Sequence, residues 1–392
     1  MRPDARAQSA IEILDLWLAD QTGLDRVLAQ WARTNRYAGS KDRAAIADLV
    51  YGAVRRLRSA NWAACGEQPA SGRTLIHGAT LLDQASIDQL FSGERYAPDS
   101  LSEAEISARC DLGTAPHAIR YDYPDWLSQH LDGVSDADLD ALRERAPLDL
   151  RVNTLKSDRE EALKSLTAEG ISAQAIPGSE TALRVLDGNR KVARSTAYAH
   201  GMVEIQDFGS QQLADLAEPQ PGEQIIDLCA GGGGKSLAMA AQAGGNARIF
   251  AYDVSPARLS DLPQRAERAG AKINILTAKD VAQRSETADV VFVDAPCSGS
   301  GAWRRNPDAK WQLTEERLAS LNTIQAELLE QAADLCAPSG RIVYGTCSIL
   351  NVENIDRINE FLTKATQWSE INRLVLRPTN GCDGFFGAVL TR

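Results

Sequence analysis

Residues 224–236 read QIIDLCAGGGGKS, an apolar run that passes into glycines and then into an alanine-rich stretch. The apolar part has the length and the branched residues of a buried strand. Glycines directly after a strand allow a tight turn, and they let the backbone come close to a ligand. We therefore predict a strand, a ligand-binding turn and a helix, in that order.

Further apolar runs follow at helix-length intervals: Arg248–Val254, Ile273–Leu276, Asp289–Asp294 and Arg341–Gly345. Short, β-branched, near-continuous runs of this kind are typical of a parallel sheet covered by helices on both faces. We therefore predict an α/β fold for residues 206–392, with a Rossmann-like, mostly parallel sheet. Ligands of such sheets bind at the carboxyl ends of the strands.

Two regions precede the predicted sheet. Residues 1–135 carry apolar residues at helical spacing, which predicts an all-helical domain; one such set is Leu24, Val27, Leu28 and Trp31. Residues 145–205 open with a strand-like run, Leu150–Leu155, followed by a helix that we expect to be capped by Ser157. This order predicts a small α/β module between the helical domain and the sheet.

Composition restricts the class of protein. The chain has 392 residues with 44% hydrophobic and 24% charged residues, which is typical of a globular protein. The apolar runs are too short to span a membrane, and the first residues do not resemble a signal peptide. We therefore expect a cytoplasmic protein with no membrane association.

Cysteine usage predicts neither a metal site nor a disulfide framework. The seven cysteines are odd in number, none forms a C-x-x-C pair, and only four histidines are present. A reducing compartment would suit a reactive thiol.

The net charge of −11 argues mildly against binding to nucleic acid. Two basic clusters nevertheless are candidates for a local RNA groove, although such clusters are as often a solvated face. They are Arg55, Arg56 and Arg58, and Arg304, Arg305 and Lys310.

Three ligands are compatible with a glycine-rich turn after a strand. A nucleoside triphosphate is excluded by spacing, because Cys229 stands where a P-loop requires its first glycine. A dinucleotide is disfavoured, because Ser236 stands where the fingerprint requires its third glycine. The third ligand is S-adenosyl-L-methionine, which the same crevice beside the glycines could hold.

Acidic residues end or follow three consecutive strands. We expect Asp253 to take the ribose hydroxyls, Asp280 to contact the adenine, and Asp294 to lie beside the reacting groups. The alternative for any one of them is a helix cap or a surface charge. Three such residues in the same position on consecutive strands favour a shared ligand site.

Two cysteines follow the fourth and fifth strands, Cys297 in DAPCSG and Cys347 in TCS. A lone cysteine is usually a small buried apolar residue, but two at adjacent strand ends favour chemistry. A thiolate that adds to carbon 6 of cytosine makes carbon 5 nucleophilic towards a methyl donor. An acid such as Asp294, in a partly buried position, can stabilise the charge that builds at ring nitrogen 3.

These motifs together resemble the bacterial Fmu/Sun (RsmB-type) RNA cytosine-C5 methyltransferases. The resemblance covers most of the chain and rests on seven stretches: Arg151–Thr154, Gln206–Ser210, the glycine-rich stretch, Asp294–Gly299, Arg304–Trp311, Thr346–Ser348 and Asp383–Phe386. It implies that Cys347 is the nucleophile, that Cys297 assists product release, and that S-adenosyl-L-methionine is the cofactor. The cofactor-binding positions that it implies are Cys229, Ala230, Gly231, Gly232, Gly233, Gly234, Lys235, Asp253, Asp280 and Asp294. It also implies an amino-terminal domain similar to the RNA-binding NusB fold.

One departure and several alternatives accompany the resemblance. The family reads Ala-Pro where this chain has Gly231-Gly232, which predicts a more flexible loop and weaker cofactor binding. The resemblance favours ribosomal RNA of the small subunit as substrate, by analogy alone. Transfer RNA, a non-catalytic role in ribosome assembly, and a methyltransferase for protein or small molecules are the other interpretations.

Overall fold

The structure is a computed structural model that describes residues 1–20 and 22–392. Its contacts divide the chain into two compact units. The first unit comprises Met1–Arg145 and Trp303–Thr314, and the second comprises Ala146–Ala302 and Glu315–Arg392. The second unit holds both the predicted α/β module and the predicted sheet region, so the three-part division of the sequence stays a prediction.

Helices form the first unit between residues 3 and 143. They are α1 (Pro3–Asp20), α2 (Leu24–Thr34), α3 (Ser40–Arg55), α4 (Leu57–Ala63), α5 (Gly72–Leu82), α6 (Glu103–Ser107), α7 (His117–Arg120) and α8 (Asp136–Arg143). Apolar residues at helical spacing bury one face of each long helix in a common core, which includes Leu14, Trp17, Ile46 and Leu75.

The second unit begins with a small antiparallel sheet in the order β2-β3-β1-β4. Its elements are β1 (Leu148–Val152), α9 (Arg159–Ala168), β2 (Ser172–Ala175), β3 (Ala182–Asp187), α10 (Thr196–Ala199) and β4 (Val203–Ile205). The cap of α9 corrects the expectation for Ser157: the side chain of Asp158 accepts the bond from the Glu161 N–H at 2.8 Å. The helix therefore begins one residue later than the sequence suggested.

A seven-stranded sheet forms the rest of the second unit, in the order β10-β11-β9-β8-β5-β6-β7. Its elements are α11 (Phe208–Asp215), β5 (Gln224–Asp227), α12 (Gly234–Gln242), β6 (Arg248–Ala251), α13 (Leu262–Ala269), β7 (Ile273–Ile275), α14 (Ala278–Ala282), β8 (Ala288–Asp294), α16 (Glu315–Leu335), β9 (Cys336–Thr346), α17 (Ile355–Lys364), β10 (Ser369–Leu376) and β11 (Phe385–Thr391). Strands β5 to β9 are parallel, whereas β10 and β11 are antiparallel. This confirms the predicted fold class.

Strand β8 shows why the sequence reads as a continuous apolar run. Val291 and Val293 pack into the core on one face of the sheet, while Val290 and Phe292 pack into the core on the other. Successive side chains of a strand point to opposite faces, so a strand covered on both sides needs apolar residues throughout. Strands β5 and β8 are neighbours, and the strand order reverses between them, which is where such sheets bind ligands.

Residues 303–314 belong to the first unit although the sequence places them between β8 and α16. They contain α15 (Pro307–Gln312). The Trp311 indole donates to the Val54 carbonyl at 2.9 Å, and the Lys310 ammonium donates to the Arg55 carbonyl at 3.2 Å. The last carbonyls of α3 thereby gain the partners that a helix end lacks.

One disulfide corrects the expectation drawn from cysteine spacing. Cys65 and Cys110 are bonded, with their Cα atoms 5.4 Å apart, while Cys229, Cys297, Cys336, Cys347 and Cys382 are free. Pairing depends on the distance between two cysteines in space, which spacing along the chain does not reveal. None of the helices in residues 1–20 and 22–392 combines the length and hydropathy needed to cross a lipid bilayer.

Candidate active site

The glycine-rich stretch forms the turn between β5 and α12, and residues 228–233 are called the cofactor loop below. Gly231 and Gly233 have φ angles of +52° and +76°, which glycine adopts readily and other residues rarely do. A β-carbon on Gly233 would also overlap the side chain of Leu262. The sequence therefore needs glycine at these two positions to make the turn.

Backbone bonds to both neighbouring strands fix the start of the cofactor loop. The Leu228 N–H donates to the Phe292 carbonyl of β8, and the Ala230 N–H donates to the Tyr252 carbonyl, both at 2.9 Å. Cys229 lies between them, and burial raises the pKa of its thiol well above the usual range. Cys229 is therefore a backbone element of the loop and not a candidate nucleophile.

Asp253 lies just beyond β6 and is tied to the cofactor loop. Its Oδ2 accepts from the Gly231 N–H at 2.9 Å, and its Oδ1 accepts from the Ser255 N–H at 2.9 Å. Arg258 adds an ion pair at 3.0 Å. The carboxylate, 3% exposed, is thus held in place beside the glycine turn, as the prediction of a ribose-binding acid requires.

Arg265 of α13 holds the other side of the same loop. Its Nη1 donates to the Gly232 carbonyl, and its Nη2 contacts Glu204 Oε2 of β4 at 2.9 Å. Glu204 is buried. Neither residue was predicted from the sequence, because a buried ion pair between distant segments leaves no local pattern.

Asp280 occupies the first turn of α14, where it completes a capping box. Its Oδ2 accepts from the Thr277 N–H at 2.8 Å and from the Thr277 hydroxyl at 2.6 Å. These bonds, led by the one from the hydroxyl, lower the pKa of Asp280. The structure therefore gives this residue the helix-capping role that the sequence left open, and its contact with adenine stays a prediction.

Lys235 and Asp294 form an ion pair at the mouth of the site. Lys235 Nζ, in the first turn of α12, lies 2.6 Å from Asp294 Oδ2 at the end of β8. Burial lowers the pKa of Lys235, but the charge of Asp294 and the nearby Cys347 sulfur outweigh this effect and raise it overall. We expected Asp294 to be a partly buried acid, and the structure shows that it is also paired with the Lys235 ammonium.

The two predicted cysteines meet. Cys297 Sγ and Cys347 Sγ are 3.4 Å apart and both are partly exposed. We call residues 295–300 and 347–350, which carry them, the thiol loops. They begin side by side because Asp294 of β8 pairs with Gly345 of β9. The contact with Cys347, together with burial, raises the pKa of Cys297 well above that of a free thiol.

Buried polar side chains connect the two thiol loops. The carboxylate of Glu353, fully buried in the turn Asn351–Glu353, accepts from the Ser298 and Ser348 hydroxyls, both at 2.5 Å. The sequence offered no signal for Glu353, because nothing near it marks a buried carboxylate.

The basic clusters are engaged within the first unit. Arg56 pairs with Asp83 and Arg58 with Asp125. Lys310 is buried, which lowers its pKa to about 8, and Arg304 is also buried. These residues therefore make contacts within the helical unit, and their part in an RNA groove stays a prediction.

These features fit S-adenosyl-L-methionine. At Gly234, the first residue of α12, a β-carbon would meet no atom within 3.8 Å, so the backbone there is open to a ligand. Asp253 offers a carboxylate for the ribose hydroxyls, and the next residue, Val254, is 86% exposed and offers an apolar surface. Clusters of metal-ligating side chains are absent from the described part of the chain.

Sequence comparisons place the chain near known RNA-modifying enzymes. The model of a family described as 16S rRNA methyltransferase RsmB/F matches residues 214–388, and that of an RsmF/B-like ferredoxin-like domain matches residues 123–193. Ribosomal RNA small subunit methyltransferase B of Yersinia pseudotuberculosis is 30% identical over 83% of this chain and 82% of its own length. The protein of the same name from Serratia proteamaculans is 29% identical over 90% of this chain and 91% of its own.

Solved structures share the fold. The crystal structure of PH0851 superposes with a TM-score of 0.75 at 23% identity, covering 99% of both chains. NSun6 from Pyrococcus horikoshii superposes with a TM-score of 0.61 at 19% identity, covering 68% of this chain and 98% of its own. The second of these was solved with the ligand SFG bound.

Proposed function

The chain belongs to the RsmB/F family of RNA methyltransferases, which use S-adenosyl-L-methionine, and on that premise we propose that it methylates carbon 5 of a cytosine in small-subunit ribosomal RNA. The observation that carries the proposal is the pair of thiols 3.4 Å apart, next to the Lys235–Asp294 ion pair. A methyltransferase acting on nitrogen or oxygen has no need of two thiols at its reaction centre. The names of the curated relatives support ribosomal RNA of the small subunit as substrate.

Cys347 is the nucleophile in this proposal. Its thiolate adds to carbon 6 of the cytosine, a carbon–sulfur bond forms, and the electrons of the carbon 5–carbon 6 double bond move towards carbon 5 and the ring. The Lys235 ammonium stabilises negative charge on the Cys347 sulfur before the attack. In the reacting complex Asp294 takes up the proton that the Cys347 thiol loses and donates it to nitrogen 3, where negative charge develops.

The second half of the reaction restores the aromatic ring. The bound cofactor supplies an electrophilic methyl group, which carbon 5 attacks. The proton on carbon 5 is then lost to water, its electron pair re-forms the double bond, and nitrogen 3 returns its proton to Asp294 as the Cys347 thiolate departs from carbon 6. We assign to Cys297 the assistance of this release, because its sulfur contacts the leaving sulfur directly.

We assign cofactor binding to the other predicted residues, because they lie in the cofactor loop or after parallel strands that end at the same edge of the sheet. Asp253 and the backbone of the cofactor loop hold the cofactor, with Asp280 at the adenine end. We also propose that the helical unit, as a NusB-like domain, contributes RNA binding.

Bisulfite sequencing of total RNA tests the substrate. Cells that contain the protein, lack it, or carry Cys347→Ala are compared, because 5-methylcytosine resists conversion to uracil. We expect one cytosine of small-subunit ribosomal RNA to resist conversion only with the unaltered protein. Loss of protection in transfer RNA instead would overturn the ribosomal substrate, and no change at any cytosine would overturn carbon 5 methylation.

A further inference from the structure

A single buried carboxylate lies between the two thiol loops. Each reactive cysteine is followed directly by a serine, and the hydroxyls of both serines, Ser298 and Ser348, donate to Glu353 Oε2 at 2.5 Å. The Ser298 N–H donates to Glu353 Oε1 at 2.8 Å. One side chain therefore contacts the residue next to each thiol.

Further bonds make the arrangement rigid. The amide of Gln325, fully buried on α16, donates to Glu353 Oε1 at 3.1 Å and to the Pro296 carbonyl at 2.9 Å. The Tyr344 hydroxyl donates to the Glu353 carbonyl at 2.7 Å. Burying a carboxylate is costly unless several donors satisfy it, so this residue type indicates a requirement beyond packing.

The two thiols have different charged neighbours. The bond with Cys347 raises the pKa of Cys297 most, burial adds to it, and the negative charge of Glu353 raises it further. Lys235, in contrast, places a positive charge near Cys347. Other titratable groups also lie nearby. Tyr344 is close to Cys297 and Glu353, and Cys229 and Arg357 are close to Tyr344. Asp294 is paired with Lys235.

We propose that Glu353 is a positioning residue that fixes the distance between the two thiol loops and keeps the shared proton on Cys297, so that the negative charge rests on Cys347. Two nearly equivalent thiols in contact would otherwise divide one charge between them. Glu353 makes them different, and the nucleophile is thereby selected by the fold. This inference rests on the proposed function, in which Cys347 attacks.

Two variants separate charge from position. Glu353→Gln keeps the size and removes the charge, and Glu353→Asp keeps the charge and shortens the reach. We expect Glu353→Gln to lower kcat about 10- to 100-fold, because small misplacements of reacting groups have effects of this size, while KM for the cofactor changes less than about twofold. Glu360→Gln, at a partly exposed residue of α17 paired with Arg357 and Lys364, is the matched control and should retain full activity.

Alkylation of Cys297 gives a readout that needs no RNA. In protein carrying Cys347→Ala, the rate of iodoacetamide labelling at Cys297 is followed against pH by peptide mass spectrometry. Because Glu353→Gln removes the negative charge, the midpoint of the labelling-rate curve should move to lower pH. With Glu353→Asp, which keeps the charge, the midpoint should stay near that of the parent protein. A fall in kcat without this shift reduces Glu353 to a packing role and overturns the inference.

Folding and substrate identity are controlled separately. If Glu353→Gln does not fold, Ser298→Ala carries the test, because it removes one of the two hydroxyls from the carboxylate; kcat should fall with the cofactor KM unchanged, and an unchanged kcat overturns the inference. The labelling experiment stands even if the RNA substrate is a different one, so its failure is distinguishable from failure of the proposed function.

Discussion

The cofactor loop and the thiol loops leave the same edge of the sheet, but different kinds of contact hold them. Glycines, backbone bonds and two arginines hold the cofactor loop, and one of these arginines, Arg258, has a side chain that is 60% exposed. Buried hydroxyls and the buried carboxylate of Glu353 hold the thiol loops.

The difference fits the roles proposed for the two regions. In the proposed mechanism the cofactor loop admits and releases a ligand in every cycle, and contacts open to water exchange readily. The thiol loops would carry the reacting sulfur atoms, whose positions must be kept within a fraction of an ångström. We therefore expect substitutions in the two regions to affect different kinetic constants.

Cys347→Ala should separate the two regions most clearly. We expect methylation to fall by roughly 10⁴-fold or more, because the nucleophile is lost, while the cofactor loop continues to bind ligand. Transfer of a radiolabelled methyl group measures the first quantity, and calorimetric titration with S-adenosylhomocysteine measures the second.

The matched control is Cys336→Ala, a buried cysteine at the start of β9 and outside the thiol loops. It should remain active. Activity in Cys347→Ala above one per cent of the parent would refute the assignment of the nucleophile.

Asp294→Asn tests the point where the two regions meet, since Asp294 pairs with Lys235 of α12. Loss of an acid–base group of this kind typically costs about 10²–10⁴-fold in rate, and we expect kcat to fall by an amount in that range. KM for the cofactor should change much less. Steady-state kinetics with varied cofactor measures both, and the exposed Asp356→Asn on α17 serves as the control.

An Asp294→Asn variant with normal kcat and a raised cofactor KM would assign Asp294 to the cofactor side alone. The Lys235–Asp294 ion pair would then serve cofactor binding only and would have no part in the chemistry at the thiols.

Gly232→Pro tests the cofactor loop, and we expect it to change cofactor affinity only slightly. Gly231 and Gly233 have positive φ angles, which proline cannot adopt, but Gly232 does not. Fewer conformations in the empty loop should tighten cofactor binding about two- to fivefold, equivalent to about 0.4–1 kcal/mol. Calorimetric titration measures the change.

Gly23→Pro, at a position in the first unit with φ of −51°, controls for a general effect of added proline. Weaker cofactor binding in Gly232→Pro would contradict the interpretation, because it would mean that the Gly232 N–H or the loop's mobility is itself needed for binding.

The fold class could be predicted from the sequence, because strands with both faces buried are apolar throughout. The closeness of the two thiols could also be predicted, because parallel strands end at the same edge of the sheet. The sequence did not predict β10, whose outward residues Ile371 and Val375 are exposed and give no regular pattern. The buried run Phe385–Thr391 of β11 was a signal that could have been used. Glu204, Arg265 and Glu353 could not be found, since their partners are brought together only by the folded chain.

The disulfide and the segment 303–314 were missed for a related reason. Cys65 and Cys110 are 45 residues apart in sequence, and Trp311 contacts a carbonyl 257 residues away. Contacts of this range depend on tertiary packing, which local spacing does not encode.

The covalent adduct formed by Cys297→Ala would show which side chain attacks the cytosine. If Cys297 assists release, this variant incubated with small-subunit ribosomal RNA and cofactor should retain RNA as a slower band on a denaturing gel, and mass spectrometry should locate the nucleotide on Cys347. The double variant Cys297→Ala, Cys347→Ala should give no band. An adduct on any other residue, or continued methylation without an adduct on Cys347 at any stage, would contradict the account.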